Sequence, residues 1–330
     1  MEQSNNQVCI FTSYGSSVGS GHLRRCINLG NFLESKGYSI TIVTKITDID
    51  EKNIIPESFI SLKTDSFKKN KLIQKIDHVI YNFFLTDLLG HDLTEFLWVR
   101  EMKIYIVSIL SFKTDFSSKV FDLAFFPSVE KHNVIIENNR NIFTGKNCVL
   151  LNPFSEKTEF KINNDVKSVL IFLGGTDPYN ITNTVINDLK HNNCNLKFNI
   201  LMETNLSYPD NFNFKGQVKN FYNELMNNDI AIINGGISRY ECMYIGIPTI
   251  AISIHKKQFN ITKQVSDMGA MINLGIYNEL QNNSVSETLT RLVNNKEERI
   301  SLHTNCKNIF EAPSENYNFV LKTILHEKND

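Results

Sequence analysis

The stretch Val8-Cys-Ile-Phe-Thr-Ser-Tyr-Gly-Ser-Ser-Val-Gly-Ser-Gly-His-Leu-Arg-Arg-Cys26 decides the fold class. Val8–Phe11 is a short apolar run that meets turn residues, the mark of a buried strand. Gly15, Gly19 and Gly21 follow. Then Leu23, Cys26, Ile27, Gly30 and Leu33 fall on one face of a helix that stops at Gly37. Ser39–Val43 supplies the next strand. Strand, glycine turn, helix and strand make a unit that parallel sheets are built from.

The same alternation runs outward along the chain. Val79–Tyr81 followed by Phe83–Leu85, then Ile104–Ile109 and Leu123–Phe126, read as further strands of the first half. The pattern restarts with Ser168–Leu173, Phe198–Met202, Ile230–Ile233 and Thr249–Ile254. Between the halves lies a polar stretch with a Pro near its start. The expected organisation is therefore an α/β domain at 1–152, a linker at 153–165, a second α/β domain at 166–307 and a helical tail at 308–330 that packs back across. Two doubly wound domains would leave a cleft between the carboxyl ends of their strands.

Composition narrows the function. Lys plus Arg is 34 against 35 for Asp plus Glu, a formal charge of -1, which argues against a protein that lives on a nucleic-acid backbone. A small anion needs only local positive potential. The six cysteines, Cys9, Cys26, Cys148, Cys194, Cys242 and Cys306, have neither CxxC pairing nor zinc-type spacing, so buried reduced thiols are expected. The amino terminus lacks a secretory pattern, and the longest apolar runs are too short to span a bilayer. A soluble cytoplasmic protein with no integral membrane segment is the expectation.

Three segments carry candidate chemistry. In Tyr14-Gly-Ser-Ser-Val-Gly-Ser-Gly-His-Leu-Arg-Arg-Cys26, glycines let the backbone approach a ligand, and the helix that follows aims free N–H groups at the loop. His22 stands at the helix mouth, where an imidazole can act as a base. The plain alternative is that His22 and Arg25 cap and solvate a helix start. Leu173-Gly-Gly-Thr-Asp-Pro-Tyr179 repeats the strand-glycine-helix pattern, with Pro178 expected at the first helical position and Asp177 or Thr176 at the cap. Ile233-Asn-Gly-Gly-Ile-Ser-Arg-Tyr-Glu-Cys242 does so again. There Ser238 and Glu241 have capping-box spacing, and Gly246 and Pro248 form a helix stop. Two paired-glycine turns on one sheet edge exceed what a fold requires and favour a nucleotide site, with the diphosphate on Gly235-Gly236 and the Ser238 amide.

With these segments the chain resembles the nucleotide-sugar hydrolases of pseudaminic acid biosynthesis, to which spore-coat polysaccharide proteins are close relatives; the wider group has the GT-B fold. VGSGHLRRCINLG, LGGTDP and NGGISRYECMYIGIPTI carry the likeness, which covers roughly Gln7 to Gly275. It implies two Rossmann-like domains in the GT-B arrangement, facing a central cleft, with UDP held mainly by the second. By position it makes His22 catalytic and puts Gly174, Gly175, Gly235, Gly236, Ser238 and Glu241 at the nucleotide. Gln258 falls near the sugar and Val218 where the main chain meets the uracil. Gly19, Gly21, Arg25 and Thr176 complete the expected substrate-binding set.

Departures are also expected. Where the hydrolases carry Asp-x-Tyr at the end of a strand, this chain reads Asn82-Phe83-Phe84. Their Asp pair reads Ser108-Ile109, and their Asn-Gln pair reads Lys257-Gln258. The expected function is release of UDP from a UDP-linked amino-deoxy sugar by inverting attack at the anomeric carbon. An inverting transferase acting on a glycan or lipid acceptor is the alternative, and a nucleotide-sugar-binding protein without turnover the third reading. No cofactor or metal is expected: Asp48-Ile-Asp50 has DxD spacing but sits in a charged loop, and helix N-termini can meet a diphosphate without a metal. Lys256 and Lys257 read equally as leaving-group neutralisers and as a surface pair, and Trp98 reads as core.

Overall fold

A computed structural model describes residues 6–329 apart from 16–17, 47–53, 77–79, 138–139, 153–158, 176, 191–194, 204–207, 217, 219 and 311–313. Asp48-Ile-Asp50, Thr176 and Cys194 thus lie outside the described residues. The chain divides into two compact units, Met1–Pro153 with Ala312–Asp330, and Phe154–Glu311.

The first unit runs β1 (Gln7–Tyr14), α1 (Gly21–Ser35), β2 (Ser39–Ile46), β3 (Ile60–Thr64), α2 (Lys69–Ile76), β4 (Phe83–Asp87), α3 (Gly90–Glu95), β5 (Ile106–Ile109), β6 (Leu123–Pro127), β7 (Asn133–Glu137) and β8 (Arg140–Gly145). The second runs β9 (Ser168–Phe172), α4 (Ile181–Leu189), β10 (Lys197–Ile200), β11 (Phe212–Phe214), α5 (Phe221–Met226), β12 (Ile230–Asn234), α6 (Ser238–Ile245), β13 (Thr249–Ser253), α7 (Lys256–Asp267), β14 (Ile272–Ile276), α8 (Ser284–Asn294) and α9 (Lys296–Ile309). The last helix, α10 (Ser314–Asn329), returns to the first unit.

The first sheet has the order β3-β2-β1-β4-β5-β6-β8-β7, parallel except for β7 against β8. The second has the order β11-β10-β9-β12-β13-β14 and is parallel throughout. Each strand order reverses direction in the interior of its parallel part, between β1 and β4 and between β9 and β12. Loops leaving the carboxyl ends of those strand pairs diverge and open a crevice, which is where such sheets take ligands.

Runs of Val, Ile and Phe become the central strands because both of their faces are covered. In the first unit Ile10, Leu85 and Val107 face α1 and α10, with Tyr317, Val320 and Ile324 of α10 in the same core. Phe11, Phe84 and Phe126 face the other way, into a cluster with Phe67, Leu72 and Phe96. In the second unit Val169, Ile171, Ile232 and Ile250 pack against α4 and α8 through Ile181, Val185 and Leu289. Trp98 donates from Nε1 to the Phe67 carbonyl at 2.6 Å and stacks edge-on to Phe96, so it belongs to the core. Cys9, Cys26, Cys148, Cys242 and Cys306 are free and buried.

Several elements differ from the sequence expectation. Ile80 and Tyr81 are not strand, and β4 begins at Phe83 and runs on to Asp87. Strands β3, β7, β8, β11 and β14 carry mixed or exposed residues and gave no apolar run. Helix α4 starts at Ile181, so Pro178 lies in the preceding turn and not at the first helical position. The Ser238–Glu241 capping box does not form. Ile237 already has helical φ and ψ, Ser238 is the first helical residue, and no side-chain cap bond closes α6. Among the described residues no helix is long and apolar enough to cross a membrane.

Candidate functional site

In the first unit a polar triad sits at the strand-order reversal. Asp87 ends β4, in register with Thr12 of β1. His22 is the second residue of α1, one short loop beyond β1, and its Nδ1 lies 2.7 Å from Asp87 Oδ1. Arg25, one turn further along α1, reaches both oxygens of the same carboxylate at 2.6 Å. Asp87 is fully buried, and His22 retains 15% side-chain exposure.

Electrostatics fix the protonation of the Asp87 carboxyl. Burial on its own would raise the Asp87 carboxyl, but the Arg25 charge, the His22 charge and the hydrogen bonds from both outweigh it and bring it down to about 2. Asp87 is therefore a carboxylate at neutral pH and can only accept hydrogen bonds. A neutral His22 must then carry its hydrogen on Nδ1, leaving the Nε2 lone pair as a base. Burial and then the Asp87 charge push the neighbouring Cys26 thiol well above its ordinary value, so it is no nucleophile.

A second buried cluster braces the loop after β4. Asp92 of α3 accepts from Ser13 Oγ and from Lys45 Nζ, each at 2.6 Å, with Glu95 3.8 Å from Lys45. The chain leaving the triad is thereby tied to the ends of β1 and β2.

In the second unit the paired-glycine turns follow β9 and β12, the strands at that sheet's reversal. Asn234, the last residue of β12, joins them: its Nδ2 donates to the Leu173 carbonyl and its Oδ1 accepts from the Gly236 N–H, both at 2.9 Å. Gly174 has φ +122°, and a Cβ there would lie 3.0 Å from Asn234 Nδ2. A Cβ on Gly235 would meet Thr262 Oγ1 at 2.4 Å and Gln258 Cγ at 2.8 Å. Neither position tolerates a side chain without a shift of its neighbours.

The two helix starts are unequal. The α4 start is occupied, because Asp177 at φ 35° accepts from the N–H groups of Ile181 and Thr182 at 2.9 and 2.8 Å. At α6 the main chain turns at Gly236, with Arg239 N–H donating to the Gly236 carbonyl and Tyr240 N–H to that of Ile237. The N–H groups of Ile237 and Ser238 precede that first turn and have no intrahelical acceptor. Glu241 is half-buried in the same first turn.

The remaining expected residues surround these turns. Gln258 in the first turn of α7 accepts the Ile254 N–H at 2.5 Å through Oε1, which leaves its amide NH2 on the Gly236 side. The α7 cap is His255, whose Nδ1 accepts from the Gln258 N–H at 3.2 Å; burial, and to a lesser extent the Lys257 charge, lower its pKa and keep that lone pair available. Lys256 lies over the Phe259 ring at 4.5 Å. Val218 is half-buried after β11, and Gly175 is exposed beside Gly174. In the first unit Gly19 has φ +80° and donates its N–H to the Gly15 carbonyl at 2.7 Å, and Gly21 opens α1.

Reading the sequence alone missed Asp87, Asp92, Lys45, Asn234 and Arg239. The strand-end acid that the sequence reading took as missing at Asn82-Phe83-Phe84 stands five residues later, at Asp87. Asn82 instead takes the Gln7 N–H at the amino end of the sheet, and Phe84 is core. The residue two beyond Asp87 is Leu89, so no phenol follows the acid. Ser108 is buried inside β5, sharing a hydrogen bond with Thr86 at 2.6 Å.

No family model matches the chain. The spore coat polysaccharide biosynthesis protein SpsG of Bacillus subtilis (strain 168) is 22% identical over 90% of this chain and 91% of its own. Among solved structures, Acinetobacter baumannii MurG superposes with a TM-score of 0.63 at 12% identity, over 97% of this chain and 99% of that one. Arabidopsis thaliana UGT89C1, complexed with UDP-L-rhamnose, gives 0.66 at 12% identity over 96% and 98%. The chain has the GT-B fold. Within it the likeness to the spore-coat polysaccharide proteins spans most of the sequence, as the motifs led one to expect. Both polar constellations, His22 with Asp87 and the turns joined by Asn234, stand at the reversal points of the two GT-B sheets.

Proposed function

We propose that this GT-B protein is a nucleotide-sugar enzyme of polysaccharide biosynthesis that cleaves the anomeric C–O bond of a UDP-linked sugar, with water as the attacking group. The observation that carries the reading is the His22–Asp87 pair at a sheet reversal, which leaves Nε2 of His22 as the one lone-pair nitrogen of the ring. His22 takes the proton of the attacking water, Asp87 holds the ring tautomer and supports the imidazolium that forms, and Arg25 fixes the carboxylate. Attack from the face opposite UDP inverts the anomeric configuration.

The second unit supplies the nucleotide side. Gly174, Gly175, Gly235 and Gly236 let the main chain approach a diphosphate, and the open start of α6 at Ser238 meets the charge that develops on the departing β-phosphate. Glu241 accepts from the ribose hydroxyls, the main chain at Val218 meets the uracil, and Gln258 faces the sugar. Gly19 and Gly21 are assigned to the substrate beside His22. A phosphate leaving group needs little acid catalysis, in keeping with Leu89 where an acid/base phenol would stand.

A sugar transfer to a glycan or lipid acceptor is the second reading. It is favoured by the fold likeness to MurG and UGT89C1 and uses the same base. The deciding experiment measures UDP release from a panel of UDP-amino and UDP-deoxyamino sugars without acceptor. Release by the native chain that vanishes in His22→Ala supports the hydrolase. Absence of release, with UDP still raising the melting temperature, rejects it in favour of transfer.

A further inference from the structure

Arg239 is the only buried guanidinium at the paired-glycine turns among the described residues, and no carboxylate lies within ion-pair distance of it there. It is 7% exposed. One terminal nitrogen donates to the carbonyls of Gly235 and Gly236, the latter at 3.1 Å, and the other to the Tyr240 hydroxyl at 3.0 Å. Its carbon lies 4.3 Å from the centre of the Tyr240 ring. Its Nε has no hydrogen-bond partner. All of the partners it does have are neutral. By contrast, the buried guanidinium of Arg25 is matched by Asp87.

A buried cation without a counter-charge is costly to a fold that gains nothing from it. The position explains the gain. In a trans peptide the N–H points opposite to the carbonyl. Holding the Gly236 carbonyl on the guanidinium therefore turns the Ile237 N–H away from Arg239, at the open start of α6. The same cation adds a full positive charge beneath a turn that otherwise offers only partial ones.

We infer that Arg239 is the positioning residue and buried counter-charge for the anion that binds the Gly235-Gly236 turn, so that the diphosphate of the ligand completes an ion pair the folded chain leaves open. The inference rests on the diphosphate assignment made above. It predicts that Arg239 discriminates by ligand charge: it strengthens UDP over UMP and UMP over uridine, acting through the turn and without reaching the nucleoside.

The test is calorimetric binding of uridine, UMP, UDP and inorganic pyrophosphate to the native chain, Arg239→Gln and Arg239→Lys. The ratio of UDP to uridine affinity within each variant cancels any general loss of folded protein. The ratio is expected to fall about tenfold or more in Arg239→Gln, as removal of a buried charge close to the ligand implies, and to recover in part in Arg239→Lys, which keeps the charge without the planar fork. Equal weakening of uridine and UDP, or an unchanged ratio, overturns the inference and leaves the diphosphate reading standing. A native chain that binds pyrophosphate but not UDP, with the pyrophosphate affinity lost in Arg239→Gln, supports the inference and removes the uridine assignment. A native chain that binds neither overturns both.

Discussion

An ionised Asp87 between His22 and Arg25 ties activity and acid stability to one carboxylate. In Asp87→Asn the amide can present its NH2 to His22, and the ring then places its hydrogen on Nε2, where a base is needed. UDP release is expected to fall by about 10²–10⁴-fold, the usual worth of a positioned base, with KM little changed. Steady-state kinetics on the preferred UDP-sugar checks this. The Asp87 carboxyl is at about 2 in the folded chain. In an unfolded chain a carboxyl of this type titrates at about 3.9. The unfolded state thus takes up a proton more readily, and the contribution of Asp87, about 2.6 kcal/mol by linkage, is complete above about pH 5 and is lost as the pH falls towards 2. Urea unfolding at pH 7 and pH 3 should show a smaller fall in stability for Asp87→Asn than for the native chain. Nothing in the local sequence around His22 announces Asp87, which lies 65 positions away in the chain. A charged residue closing the apolar run Phe83-Phe-Leu-Thr86 was the available signal, since the carboxyl end of an interior parallel strand is where a charge has work to do.

Elements follow the same logic of local against distant causes. The glycine turns were legible because the need for a missing Cβ is written in the sequence next to a strand and a helix. The helix starts were not, because they depend on which groups already occupy the free N–H positions. Asp177 and Ser238 look equally like caps in sequence, yet Asp177 reaches two N–H groups of α4 while Ser238 is simply the first residue of α6. Replacing Asp177 with Ala should therefore cost about 1 kcal/mol of stability, the usual worth of a helix cap. UDP affinity should change by less than about twofold, because the occupied start of α4 is not the one assigned to the diphosphate. Denaturant unfolding read beside UDP titration separates the two quantities. The unforeseen strands share one cause as well. Those at the margins of the sheets, such as β7 with Val134 and Ile136 exposed, have one face or edge uncovered and so lack the continuous apolar run that marks the interior strands.

At the scale of the whole molecule, two separate cores carry two separate constellations, one around the sheet that α1 sets His22 against and one around the sheet whose β12 leads into Gly235. Base and nucleotide turns should therefore be separable by mutation. His22→Ala leaves the second unit's turns untouched, so UDP at 100 times its Kd should still stabilise the variant by about 2.7 kcal/mol, a rise in melting temperature on the order of 5 °C, while UDP release is lost. Gly235→Ala forces a Cβ to within 2.4 Å of Thr262 Oγ1. The turn must shift, so the UDP-dependent rise should shrink or vanish, and release should fail with it. Hydrogen exchange with and without UDP locates the effect: protection is expected around Gly235–Glu241 in the native chain and in His22→Ala, and absent in Gly235→Ala. A UDP-dependent rise lost in His22→Ala, or kept in full by Gly235→Ala, would assign the nucleotide to the first unit and reverse the division of labour proposed for the two sheets.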